Sequence, residues 1–310
     1  MDPLQNYLAS QQKLFDRAGI RPERRTIEIK DGPVRKVHFL HLGQGRPLIM
    51  LHGGGSHASE FIDLLGPLSR HYELFVIDRP GCGSTDHFDY RGVDVPAHAV
   101  NFIRSFMDAV QLQRAAFLAQ SMGAYFSIRF AMEHPGRVSK LIFIGAPAGM
   151  HLQIPLLLRM LGTPVLNRFL ANTVGRPSIK GMRRLHEQLF MADASRVGED
   201  YLEHSADNQR LPGRFRSFQT LLENVLTLRG WRRDLYIGDR LHELKMPVHF
   251  IWGDKDVFED PISGARKANA IKDHRFITIA DAGHCPWLDR PEECARTVIQ
   301  CMEDREMVEA

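Results

Sequence analysis

Apolar residues along this chain come in short runs set between longer stretches of helical period. The runs Thr26–Ile29, Val34–Leu42, Leu48–Leu51, Leu74–Ile77, Ala116–Ala119, Leu141–Ile144, Val248–Trp252 and Phe276–Ile279 read as eight strands. Pro-Leu-Ile-Met-Leu, Leu-Phe-Val-Ile and Leu-Ile-Phe-Ile are continuously apolar, as strands covered on both faces must be. The first two runs flank Asp31-Gly32-Pro33 and read as a hairpin, whereas the later ones are spaced for right-handed parallel crossovers. Helices are predicted over Glu60–Arg70, Val95–Val110, Gly123–His134, Ile262–Ile271 and Glu292–Met302. The predicted class is therefore α/β, with a mostly parallel eight-stranded sheet flanked by helices.

The alternation stops between Gly149 and Glu243, where amphipathic helical stretches replace strands. The expected organisation is a core from residues 1–148, a helical insertion over 149–243, and the rest of the core over 244–310. The insertion is rich in Leu156, Leu157, Leu158, Met160, Leu161, Met182, Leu189, Phe190, Met191, Phe215 and Phe218. So many apolar side chains suggest that it does more than seal the sheet, and that some of them face an apolar ligand. Gln5 to Gly19 reads as a short helix packed outside the core, with no role assigned.

With 310 residues, 44% hydrophobic and 25% charged, the chain is long enough for a large core. The formal charge of +3 is spread through mixed sequence, which predicts a solvated surface without nucleic-acid or membrane partners. Cys82, Cys285, Cys294 and Cys301 form no C-x-x-C pair, so reduced thiols and no bound metal are expected. The N-terminus has neither a basic nor an apolar leader pattern, and a cytoplasmic protein is expected. The partner expected is a small-molecule substrate, with a homodimer left open.

Chemistry gathers at the predicted strand ends. Ala119-Gln120-Ser121-Met122-Gly123 runs from strand to helix with small residues on both sides of the serine, the pattern of a nucleophile elbow. Alone, a serine capping a crossover helix explains it as well. Upstream, His52-Gly53-Gly54-Gly55-Ser56 can bring backbone amides to a substrate oxygen, and Gly54 with Met122 are the expected oxyanion donors. Asp78 to Asp86 reads as a braced turn, and His52 as support for the glycine loop. After the insertion, one strand leads to Gly253-Asp254-Lys255-Asp256 and the next to Gly283-His284. In a parallel sheet these ends meet at one edge, which lets a serine, an acid and a histidine from different strands converge. Gly53, Gly55, Gln120 and Trp287 are expected to contact substrate.

Taken in order, these motifs resemble the α/β-hydrolase superfamily, in the branch with a helical cap after the sixth strand. The resemblance covers nearly everything from Thr26 onward and implies Ser121, Asp256 and His284 as a catalytic triad, with no cofactor. A serine at the elbow speaks against the dehalogenases and epoxide hydrolases of this fold, which place an aspartate there. The first expectation is hydrolysis of a small, mainly apolar carboxylic ester through an acyl-enzyme. The alternative is a carbon–carbon hydrolase of ring-fission products. Such enzymes carry Asn before the serine and Trp after the histidine, where this chain has Gln120 and Cys285. Perhydrolase or cofactor-free haloperoxidase-like activity, and a non-catalytic receptor of the same fold, are further readings.

Overall fold

The computed structural model describes residues 2–30, 32–164, 166–167 and 177–304; Asp31 of the expected hairpin turn lies outside them. The chain runs α1 (Pro3–Ala18), β1 (Glu23–Glu28), β2 (Lys36–Leu42), β3 (Arg46–Leu51), α2 (Ile62–Ser69), β4 (Tyr72–Ile77), α3 (Val95–Ala109) and β5 (Ala115–Ala119). It continues through α4 (Met122–Glu133) and β6 (Val138–Ile144) to the helices α5 (Leu156–Leu161), α6 (Ile179–Leu185), α7 (Glu199–Arg210) and α8 (Arg214–Val225). A hairpin of β7 (Leu226–Thr227) and β8 (Gly230–Trp231) follows, then β9 (Val248–Gly253), α9 (Pro261–Ala268), β10 (His274–Ile279), α10 (Pro286–Asp289) and α11 (Pro291–Glu303).

All eight predicted strands form one sheet, in the order β1-β2-β4-β3-β5-β6-β9-β10. β2 pairs antiparallel with both neighbours, and every pairing from β4 to β10 is parallel. The parallel order brings the ends of β3, β5, β6, β9 and β10 to one edge. Two apolar layers cover the sheet: Phe102, Phe106, Tyr125 and Phe126 of α3 and α4 on one face, and Leu64, Leu65, Val298 and Cys301 of α2 and α11 on the other. All four cysteines are buried and free. Among the described residues no helix is long and apolar enough to cross a membrane.

Two expectations change. The N-terminal helix is not outside the core: Leu14 and Phe15 pack into the second apolar layer, because Tyr7, Leu14 and Phe15 recur on one helical face. Its other contacts tie it to α7 through Ser10–His204 (3.0 Å), Lys13–Glu203 (3.0 Å) and Arg17–Asp200 (2.8 Å). The stretch after β6 also holds strands, the β7–β8 hairpin, whose two-residue arms are too short to register as a period.

Candidate active site

Ser121 sits directly between β5 and α4 with φ 49° and ψ −113°, a conformation that costs a non-glycine residue energy. The surrounding main chain holds it there: Gln120 N–H donates to Leu51 O (3.0 Å), and Tyr125 and Ala148 N–H both donate to Ser121 O (3.1 Å each). Gly123 permits the close approach, since a Cβ there would lie 2.1 Å from the Leu51 carbonyl oxygen. Met122 opens α4, so its amide has no acceptor within the helix.

Asp256 and His284 come from the loops after β9 and β10. His284 Nδ1 lies 2.9 Å from Asp256 Oδ2, with His284 1% exposed. Ala146 N–H donates to the same carboxylate oxygen (3.0 Å) and Phe258 N–H to the other (2.9 Å). With the carboxylate accepting all of these bonds, the ring N–H is assigned to Nδ1, which leaves Nε2 as the acceptor nitrogen. Phe258 stacks on the imidazole with ring centres 4.0 Å apart, and Phe190 lies beyond at 6.4 Å. Nothing in the sequence pattern singles out Phe258, whereas Phe190 is among the apolar residues named in the insertion. Asp254 has another job: its carboxylate accepts from Ala282 N–H (3.1 Å) and shapes the turn.

The glycine loop is held from several directions. Glu60 accepts from Gly53 N–H (3.3 Å) and from the Ser56 hydroxyl. Asn208 and Gln209 of α7 donate to Gly55 O at 3.3 and 2.8 Å. Gly53 O accepts from His52 Nδ1 (2.8 Å), while His52 Nε2 accepts from Arg79 N–H (3.1 Å). Burial drives the His52 pKa down to about 3, so the ring stays neutral in this role. Among the described residues the amides of Gly54 and Met122 have no acceptor. Burial raises Glu60 to about 7, against the lowering pull of Ser56, Gly53 and Arg79.

Asp78 braces its turn as expected, accepting from Ala58 N–H (2.7 Å) and Ser84 N–H (2.9 Å) beside His38 Nδ1 (2.8 Å). Burial works to raise its pKa, yet the bonds to His38 and Ser84 hold it well below the carboxylate range.

Ser121, Met122, His284 and Gly53 to Gly55 share a cavity of about 810 Å³ with Gln120. Trp287 is a correction. It is fully buried away from this cavity, because α10 turns its indole under the loop to donate to Glu60 O (2.9 Å) and pack on Phe61. Of the apolar residues named in the insertion, Leu157, Leu158, Leu161, Met182, Leu189, Phe190, Phe215 and Phe218 line the cavity. Leu156 is instead 60% exposed, and Met191 packs in the core. The lining is uneven: polar His57 and Glu60 stand in the turn before α2 and Ser205, Asn208 and Gln209 on α7, with apolar side chains of α5 and α8 elsewhere. Buried His151 also reaches the cavity, its pKa lowered to about 3 by burial. No group of side chains suited to a metal occurs among the described residues.

Comparison with known proteins agrees with this architecture. The chain is 28% identical over 277 residues to 2-hydroxy-6-oxo-6-phenylhexa-2,4-dienoate hydrolase of Comamonas testosteroni, spanning 87% of this chain and 92% of that protein. It is 26% identical to 2-hydroxy-6-oxononadienedioate/2-hydroxy-6-oxononatrienedioate hydrolase 2 of Pseudomonas putida, over 90% and 96% of the two chains. Among solved structures, a carboxylesterase of Bacillus subtilis superposes with TM-score 0.78 at 15% identity, covering 98% of this chain and 99% of that one. A meta-cleavage product hydrolase of Pseudomonas fluorescens gives 0.73 at 20% identity, over 90% and 97%. Since residues 48–297 match the model of the alpha/beta hydrolase family, the chain belongs to that family.

Proposed function

We propose that the protein is a serine hydrolase that cleaves a bond beside a carbonyl, with residues 149–243 acting as a cap over the site. The observation that carries this is the strained Ser121 opening on the same cavity as the His284–Asp256 pair. In the reaction, Ser121 Oγ bonds to the carbonyl carbon while its proton passes to His284 Nε2 and the π electrons move to oxygen. The Gly54 and Met122 amides hold that oxygen, the leaving group takes the proton, and water then releases the acyl group.

Carbon–carbon cleavage of a vinylogous diketone now stands ahead of ester hydrolysis, because the relatives that span most of this chain carry names of that chemistry. Leaving-group protonation would then go to carbon. Ester hydrolysis is the second reading, favoured by the cavity itself. A dienoate substrate bears a carboxylate, yet Arg184, the cation lining the cavity among the described residues, is exposed at its rim. The apolar wall of Leu157, Leu158, Leu161 and Phe218 suits an uncharged chain. The deciding experiment measures loss of 2-hydroxy-6-oxo-6-phenylhexa-2,4-dienoate absorbance against release of p-nitrophenol from acyl esters. A dienoate kcat/KM at least a hundredfold above the best ester supports the first reading; the reverse ratio supports the second. Absence of both activities, with no phosphonate label on Ser121, would remove the hydrolase assignment of this site.

A further inference from the structure

Arg79 is fully buried, and the hydrogen bonds of its guanidinium among the described residues run to main-chain carbonyls rather than to a carboxylate. Nε donates to His52 O at 2.8 Å, and Nη2 donates to Gly53 O. The guanidinium also lies over the Phe126 ring, 5.1 Å from its centre. Nη1 is buried with no hydrogen-bond partner among the described residues. Enclosing a cation without a bonded counter-charge is costly, so this arrangement calls for a purpose beyond stability.

The peptide bond supplies that purpose. No peptide in the described chain is cis, and in a planar trans peptide C=O and N–H point in opposite directions. Gly53 O and Gly54 N–H belong to the same peptide. With its oxygen drawn toward Arg79 and His52, the N–H must face away from Arg79, toward the cavity that Gly54 lines. A cation on the carbonyl also polarises the peptide and makes the opposite N–H a better donor. A Cβ on Gly53 would lie 2.0 Å from Gln120 Oε1, so a side chain there would have to displace the Gln120 amide.

We propose that Arg79 is a positioning residue for the reaction, aiming and polarising the Gly54 N–H at the oxygen that turns negative when Ser121 attacks. This rests on the reading of Gly54 as an oxyanion donor. Two donors in a planar fork reach successive carbonyls, His52 O and Gly53 O, which a single ammonium cannot hold in the same way.

The test compares Arg79→Met and Arg79→Lys with wild type, using whichever substrate the wild type turns over, with melting curves to verify folding. A donor that has lost its aim weakens the transition state and not the ground state, so kcat for Arg79→Met should fall about 10²–10³-fold with KM changed less than about threefold. Phosphonate labelling of Ser121 should slow in parallel. In a trapped acyl-enzyme the carbonyl stretch should move to higher frequency, a signature that a purely structural role would not produce. Arg79→Lys, keeping the charge but one bond fewer, should lie between the two. A folded Arg79→Met with kcat within threefold of wild type overturns the proposal, as does a rise in KM alone. If Arg79→Met does not fold, an unchanged kcat and carbonyl frequency in Arg79→Lys overturns it. These outcomes leave Ser121 labelling of the wild type intact; a wild type that neither turns over nor takes the label overturns the Gly54 reading and this inference together.

Discussion

The sheet edge and the helical segment above it meet in one cavity, but they are held by different means. At the edge, positions are fixed by main-chain bonds to buried strands, as with Ala148 to Ser121 and Gly145 N–H to Ile251 O (2.8 Å). A Cβ on Gly145 would lie 2.1 Å from the His284 carbonyl oxygen, so even one added carbon must displace the histidine loop. The helical segment meets the cavity through half-buried Leu158, Leu161, Phe190 and Phe218, and joins α1 through partly exposed pairs such as Arg17–Asp200. The geometry around Ser121 and His284 is thus fixed by the backbone, and the lining of the cavity by side chains. Substitutions at the edge should act all or none, and those in the segment by degrees.

The sharpest test of that contrast is Ser121→Ala. Triad members act as a unit, so kcat should drop at least about 10⁴-fold, with the melting temperature nearly unchanged. Retention of a tenth of the wild-type rate ends the assignment. Next, Asp256→Asn should cost about 10³–10⁴-fold, because an amide cannot hold the His284 tautomer as a carboxylate does. Asp254→Asn, which disturbs one turn bond, should cost tenfold or less. The opposite ranking in kcat/KM exchanges their roles.

On the segment side, each substrate methylene buried against α5 and α8 should add up to ~0.8 kcal/mol, roughly fourfold in kcat/KM, until the cavity fills. Esters from acetate to decanoate measure it, and Leu158→Trp should lower the longest chain far more than acetate. A flat series, unchanged by that substitution, confines the segment to packing.

An effect on stability rather than on rate concerns Glu60, whose pKa is raised by burial to about 7. A raised folded-state value means stability that is fully present below the ordinary carboxyl range and is lost as pH rises through 7. Wild type minus Glu60→Gln should therefore decline by about 1–3 kcal/mol between pH 4.5 and 8 in denaturant titrations. A difference that grows with pH contradicts it.

Much of this was legible in advance for the same reason that the two regions differ. Short apolar runs announce the strands, and Ser121, Asp256 and His284 each come in the loop after one of them, so the pattern locates both sheet and edge. Short-range main-chain requirements leave compositional traces, such as Gly123 and the three glycines after His52. What was hidden depends on side chains meeting across long separations. Trp287 looked like a ligand contact and is a prop beneath Glu60, 227 positions earlier. Arg79 looked like part of a turn, and its hydrogen bonds to the loop 26 and 27 positions upstream are visible only in three dimensions. The α5 helix shows the same limit, for Leu157 and Leu158 enter the cavity while neighbouring Leu156 faces solvent.

The tie between α1 and α7 has a consequence for how the chain matures. Ser10 and His204 are 194 positions apart, and Lys13 and Glu203 are 190. At about 5–20 residues per second, a ribosome needs roughly 10–40 s to travel that far. α1 must therefore wait for its α7 partner, with Tyr7 uncovered on the side that will stack against His204. α1 thus makes this contact only after the residues that separate it from α7 have been synthesised, and the emergence of α7 sets when the two helices can lock.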